Sequence, residues 1–234
     1  MRPSNFRLDK LTLKEVGLSS TGHVGTQEDI YQPSLVGQNR QMVMDTTATD
    51  PHFKLDNQEH PSTVSVSMWF CLNNVETSSL FEWGNYNQDG FRFYVNSDKI
   101  VTQLFRSSTI DSYTTTDAVL LGWNHVLVCI TSTKLYVTLN GTTETFNLSD
   151  GFTSASDSIQ VGYTGGVNDG NIDGVFNEIS IFNADKSGDA LTLYNDGIPY
   201  DVTNEDNLYL YWRNNVKTSD NKIKDISGND RHAT

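Results

Sequence analysis

Cysteine and proline are both scarce in this chain: two and five in 234 residues. The cysteines, Cys71 and Cys129, lie inside the apolar stretches SVSMWFCLN and HVLVCIT. They form no CxxC pair and no zinc spacing, so both read as reduced thiols that pack like small hydrophobes. A bridge between neighbouring strands stays open, but a chain of this size can build its core without one. Positive charge is also short. Sixteen Lys and Arg face 29 Asp and Glu, a net charge of -13, which argues against nucleic acid because phosphate binding needs clustered cations. No window approaches the roughly 18 apolar residues of a membrane span. The opening MRPSNFRLDKLTLKEVG has no apolar signal core, so the N-x-S/T matches at Asn140 and Asn147 read as chance.

What is plentiful is Tyr, Phe, Thr, Val and Ser, a strand-forming composition. Residues 1–37 are polar and read as an extended arm with at most one strand. From RQMVMD onward short strands follow one another. TVSVSMWFCLN places Val64, Val66, Met68, Phe70 and Leu72 on one face and Ser65, Ser67, Trp69 and Cys71 on the other. SSLFEWGN, GFRFYVNS, KIVTQLFR, WNHVLVCIT, KLYVTLNGTTETFNL and SIQVGYT continue the pattern. Asn140-Gly141 is its strongest hairpin signal. The stretch NEISIFNADKSGDALTLYNDG passes from strand alternation at Ile179 and Ile181 to a short helix over Ala190, Leu191 and Tyr194, stopped at Gly197. The tail brings another alternating run, NLYLYWRNN, then the turn-rich KIKDISGNDRHAT, with no closing strand legible before Thr234. The spacing predicts an all-β sandwich over residues 38–234.

The order SVSMWF, LFEWGN…DGFRFYV, WNHVLVCI…KLYVTLNG, GVFNEISIFNADKS…LYNDG and YWRN…DISGNDRHAT resembles the concanavalin A-like lectin/glucanase, or laminin G-like, superfamily over about Arg40 to Thr234. The resemblance lies in order and spacing, not in one motif. It implies a jelly roll of two antiparallel sheets, with the helix over an open edge or end. The run G-x-I-D-E-V-x-I-Y-N of that superfamily is filled by Gly174, Phe176, Asn177, Glu178, Ile179, Ile181, Phe182 and Asn183, with Asn177 in place of the usual acid. The tail is similar to a module that accompanies this fold in phage structural proteins, and similar runs occur in secreted bacterial proteins.

The glucanases of the superfamily carry E-x-D-x-x-E, two acids that share the work at the glycosidic bond. Here Glu178 is followed by Ser180 and Asn183. One carboxylate cannot fill both roles, so Glu178 reads as a hydrogen-bonding residue of the fold and no catalytic residue is assigned. His125, beside Trp123, is implied to be a packing histidine. Calcium is the one cofactor the residues suggest: Asn168, Asp169 and Asp173 in GGVNDGNIDG offer hard oxygen ligands, as Asn87 and Asp89 do in NYNQDG. A solvated acidic turn accounts for the same residues. Tyr86, Tyr113, Phe152 and Tyr163 are placed in or near loops where a sugar could stack, or they are core. A glycan site is not readable.

The resulting expectation is a non-enzymatic virion protein. It would be made in the host cytoplasm and carried on the particle exterior as a capsid decoration or a tail or fibre component. Its partners would be other virion proteins, copies of itself and a host surface glycan. Phe6, Leu8, Leu11, Leu13, Ile30 and Tyr31 of the arm would carry assembly contacts. The alternative is a carbohydrate-binding module or adhesin of a bacterial surface or secreted protein. The polypeptide is expected to be able to continue beyond Thr234.

Overall fold

A computed structural model describes residues 42–43, 53–73, 75, 77–85, 88–107, 109–150, 156–162, 174–220 and 222–234. The arm residues Phe6, Leu8, Leu11, Leu13, Ile30 and Tyr31, the calcium candidates Asn168, Asp169 and Asp173, and Asn87, Tyr86, Phe152 and Tyr163 lie outside the described residues.

The chain makes two antiparallel sheets. The strands are β1 (Met42–Val43), β2 (Phe53–Glu59), β3 (Val64–Leu72), β4 (Ser78–Gly84), β5 (Asp89–Asn96), β6 (Lys99–Arg106), β7 (Thr109–Ala118), β8 (Gly122–Ile130), β9 (Lys134–Leu139), β10 (Thr142–Asn147), β11 (Ser156–Val161), β12 (Gly174–Phe182), β13 (Leu208–Lys217) and β14 (Ile223–Asp225). The eight-stranded sheet runs β10-β9-β8-β3-β12-β13-β14, with β1 also paired to β12. The six-stranded sheet runs β2-β11-β4-β5-β6-β7. Alternation dictates the layering: each strand turns every second side chain inward. Val64, Val66, Met68, Phe70 and Leu72 of β3 meet Phe81, Trp83, Phe91 and Phe93 of the facing sheet in the main core. Phe81 stacks on both Phe91 and Phe93 at ring-centroid distances of 5.7 and 5.3 Å.

The helix α1 (Ala190–Tyr194) forms where the sequence places it, between two short 3-10 turns, Ser187–Asp189 and Asn195–Gly197. Its position differs from the expected edge or end. Ala190 and Leu193 pack with Leu127, Cys129, Phe182 and Tyr211 on the outer face of the eight-stranded sheet. That face is the one Ser65, Ser67 and Trp69 were assigned to, and their small or aromatic side chains let the helix and its loop lie close. Ser65 Oγ donates to Ala184 O (2.6 Å) and accepts from Lys186 N (2.9 Å). Burial pushes the Cys129 thiol up to about 12, so it stays an inert part of this second core.

Both open edges of the sandwich are closed by particular groups, as unpaired strand edges require. On one side β10 leans on β7. Glu144 Oε1 accepts from Thr116 N (2.6 Å), Thr116 Oγ1 (3.0 Å) and Asp117 N (3.2 Å), and Tyr113 packs against Phe146. Tyr113 is therefore a strand residue turned toward the core, not a loop platform for a sugar. On the other side the tail supplies the closure that was not legible in sequence. Ala233 bridges Ile223 of the eight-stranded sheet, and Thr234 exchanges both backbone hydrogen bonds with Lys54 of the six-stranded sheet (3.1 and 3.0 Å). Glu144→Ala is expected to lose about 1–2 kcal/mol by freeing three donors of β7. Urea unfolding measures the loss, and size-exclusion chromatography should register association through the bared edge.

Candidate functional site

Glu178 sits in a bulge. The β3–β12 register passes from Asn177 opposite Trp69 to Ser180 opposite Ser67, so Glu178 and Ile179 share the single partner Met68. Glu178 takes the left-handed region, φ +50°. Its side chain is buried, and the Tyr211 hydroxyl donates to its Oε2. Arg213 Nε pairs with Oε1 at 3.0 Å and reaches Asp201 through Nη1 at 3.2 Å. Burial first, and the Glu178 charge second, hold the Tyr211 phenol far above its usual value, so it remains a donor. Both carboxylate oxygens are thus engaged by fixed partners. Ser180, where a glucanase has the middle acid of its motif, is buried beside Tyr211 in register. Asn183 lies beyond the strand end and is exposed.

His125 is fully buried on the same outer face. Its Nε2 shares a hydrogen bond with Ser67 Oγ (2.8 Å), and the Trp69 and Tyr194 rings lie 5.1 and 6.0 Å away. Its backbone is clamped by Asn140 of the Asn-Gly turn: Asn140 Oδ1 accepts from His125 N (2.8 Å) and Asn140 N donates to His125 O (2.9 Å). A Cβ on Gly141 would stand 2.9 Å from Tyr194, and its φ of +86° is one glycine adopts freely. Burial lowers the imidazole to about 3. A folded-state value below the ordinary 6.5 means that the unfolded chain takes up the proton first. Stability is therefore complete above pH 6.5 and is lost as pH falls from 6.5 toward 3. From pH 6.5 to 5 the expected loss is about 2 kcal/mol. Urea midpoints at the two pH values check it, and His125→Gln should remove most of the slope.

A third arrangement went unread in the sequence. Lys54, Gln160, Glu82, Arg92, Gln103 and Ser112 stand opposite one another in register across all six strands of the smaller sheet. Their neighbours Phe81, Trp83, Phe91, Phe93, Leu104, Ile159 and Val161 belong to the main core, so this polar row occupies the other face. Arg92 Nε donates to Gln103 Oε1 (2.8 Å) and Gln103 Nε2 to Ser112 Oγ (2.9 Å). The Arg92 guanidinium lies over the Tyr94 and Phe105 rings at 5.1 and 5.7 Å. The centre of the row is covered, with Glu82 and Arg92 only 1% and 4% exposed, while Ser112 is open to solvent. The signal was there as lone polar residues between large apolar ones: FEW, FRF, IQV. Among the described residues no group of three or more His, Cys, Asp and Glu is placed to hold a metal.

No protein-family model and no curated protein matches this chain. Solved structures do. A candidate carbohydrate-binding protein from Bacteroides ovatus superposes with a TM-score of 0.58 at 15% identity, over 80% of this chain and 58% of that one. A heptameric SAP-like pentraxin from Limulus polyphemus gives 0.52 at 18% identity, over 66% and 80%. The enzymatically active domain of tailspike protein 2 from bacteriophage CBA120 gives 0.52 at 12% identity, over 74% of this chain and 31% of that one. At these identities the likeness is one of fold. The chain has the concanavalin A-like, laminin G-like jelly-roll fold, as its strand order and spacing implied.

Proposed function

We propose that this chain is a non-enzymatic, lectin-type domain on the exterior of a phage-like particle, where it holds a surface glycan. The observation that carries the non-catalytic part is how three carboxylates of the fold are engaged, Glu178 at the glucanase position among them. Glu178 is committed to Tyr211 and Arg213, Glu144 to the β7 backbone and Asp225 to the tail loop. None of the three is free to protonate a leaving group or to attack a sugar. The particle setting is supported by the fold likeness to part of a phage tailspike and by the phage-like tail run DISGNDRHAT.

The test is in two parts. Mass spectrometry of gradient-purified particles should find the chain at a fixed copy number, and the purified protein should bind oligosaccharides without releasing reducing ends. Release of reducing ends by the purified protein that is removed by Glu178→Gln would defeat the non-enzymatic reading. A bacterial surface or secreted binding module is the second reading, favoured by the likeness to the Bacteroides ovatus protein. Finding the chain on the cell envelope and not on particles would establish it in place of the first.

A further inference from the structure

Apart from the Glu178, His125 and polar-row sites, an open cleft of about 650 Å3 lies where the two sheets meet beside the tail. The end of β2 and residues 60–62 form one wall. Asn183, just past β12, and Tyr209 of β13 form another, and Arg231 of the tail reaches across. The volume falls within the range of about 300–1,000 Å3 usual for small-molecule sites.

The floor is built and rigid. The Arg231 guanidinium lies 3.8 Å from the Tyr209 ring centroid. Its Nε donates to Gln58 Oε1 (3.3 Å) and its Nη1 to Tyr209 O (3.1 Å). The Tyr209 hydroxyl donates to the same Gln58 oxygen (2.7 Å), and the Gln58 carbonyl accepts from Trp83 Nε1 (3.1 Å). The Arg231 backbone is fixed as well, with its N–H on Asp225 Oδ2 and its carbonyl accepting from Trp212 Nε1. The rim is the opposite. Asn57, Glu59, Ser62 and Asn183 are exposed, and their side chains have no hydrogen-bond or ion-pair partner among the described residues. Asn57 is held at φ +57°, beside the β2–β11 irregularity. A satisfied, ordered floor beneath a ring of unsatisfied amide, hydroxyl and carboxylate groups is the arrangement of a preformed polar site.

We infer that this cleft binds a neutral oligosaccharide, with Asn57, Glu59, Ser62 and Asn183 supplying the ligand contacts. The inference rests on the glycan-binding part of the reading above and gives it a place. Amides both donate and accept, and a carboxylate accepts twice, which suits the paired hydroxyls of a sugar ring. The guanidinium covers the Tyr209 face, so recognition runs through hydrogen bonds and not through an aromatic platform. The rim carries one carboxylate, Glu59, and the floor one guanidinium, Arg231. The chain as a whole carries -13, which repels polyanionic glycans.

The full chain is screened against short gluco-, manno- and galacto-oligosaccharides, with hyaluronan fragments as the acidic counterpart, and hits are titrated calorimetrically. Asn183→Ala and Glu59→Gln are each expected to raise Kd about 3- to 10-fold, the loss of one hydrogen bond. Ser62→Trp should abolish binding by filling the cleft. These side chains hold no partner, so the urea midpoints of the variants should match that of the parent. Binding of a neutral sugar with unchanged Kd in Asn183→Ala and Ser62→Trp overturns the site and leaves the glycan reading standing. Binding of hyaluronan fragments alone overturns the ligand class. Silence across the whole panel overturns both the inference and the reading beneath it.

Discussion

Glu178→Ala is expected to destabilise the protein by about 2–4 kcal/mol. Removing one member of a buried ion pair usually costs about 3–5 kcal/mol, because the partner is left charged and unpaired. Arg213 is part exposed and keeps Asp201, which trims the figure, while the Tyr211 hydroxyl loses its acceptor inside the second core. Glu178→Gly offers an internal control. It removes the same carboxylate but relieves the left-handed backbone, which costs a residue with a Cβ about 1–2 kcal/mol. The glycine variant should therefore be the more stable of the two by about 1 kcal/mol in urea unfolding. An alanine variant equal to the glycine variant would mean that the bulge carries no strain.

Asp225→Ala is expected to cost about 3–5 kcal/mol. The side chain is 2% exposed and accepts four hydrogen bonds. Oδ1 takes Tyr211 N (2.9 Å) and Ser227 N (3.0 Å), while Oδ2 takes Ser227 Oγ (2.9 Å) and Arg231 N (3.0 Å). Hydrogen bonds to a charged group contribute about 1.5–3 kcal/mol each, and the donors stranded by the change add their own penalty. The loop they shape delivers Ala233 and Thr234 to the sheet edges. Hydrogen exchange should therefore quicken at the Lys54 and Ile223 amides before the rest of the sandwich opens. If those amides stay protected, the loop is held by other contacts. Tyr211 touches both sites, through its N–H at Asp225 and its hydroxyl at Glu178. The two losses should then combine to something other than their sum.

The core of this fold was legible because its strands obey one rule. In VSVSMWFCL every inward position is apolar, and the structure buries all five. Where that rule is relaxed, reading failed for identifiable reasons. β7, TIDSYTTTDA, is an edge strand with mostly polar side chains. It carries no alternation strong enough to see; it pairs with β6 along one side, and Glu144 from the facing sheet caps the other. In β13 a register shift against β12 sends Tyr209 into the main core along with Leu210 and Trp212, so the alternation read at Tyr209 is broken. Glu178 was legible as a single acid without a catalytic partner. Its clamp was not, because Tyr211 and Arg213 lie more than thirty residues away. The cleft is the extreme case, since Asn57, Asn183 and Arg231 meet only once both sheets are assembled.

The seam between Lys54 and Thr234 spans 180 residues of chain. β3 likewise waits for β12, and β2 for β11. Contacts of such separation must close long loops before they yield any stability, so the domain belongs with the slow folders, on the millisecond-to-second scale. On the ribosome, β2 and β3 emerge long before their partners and present apolar strand edges in the interval. Assembly of this protein in a cell is therefore limited less by the strength of its finished core than by how long its first half can stay out of trouble.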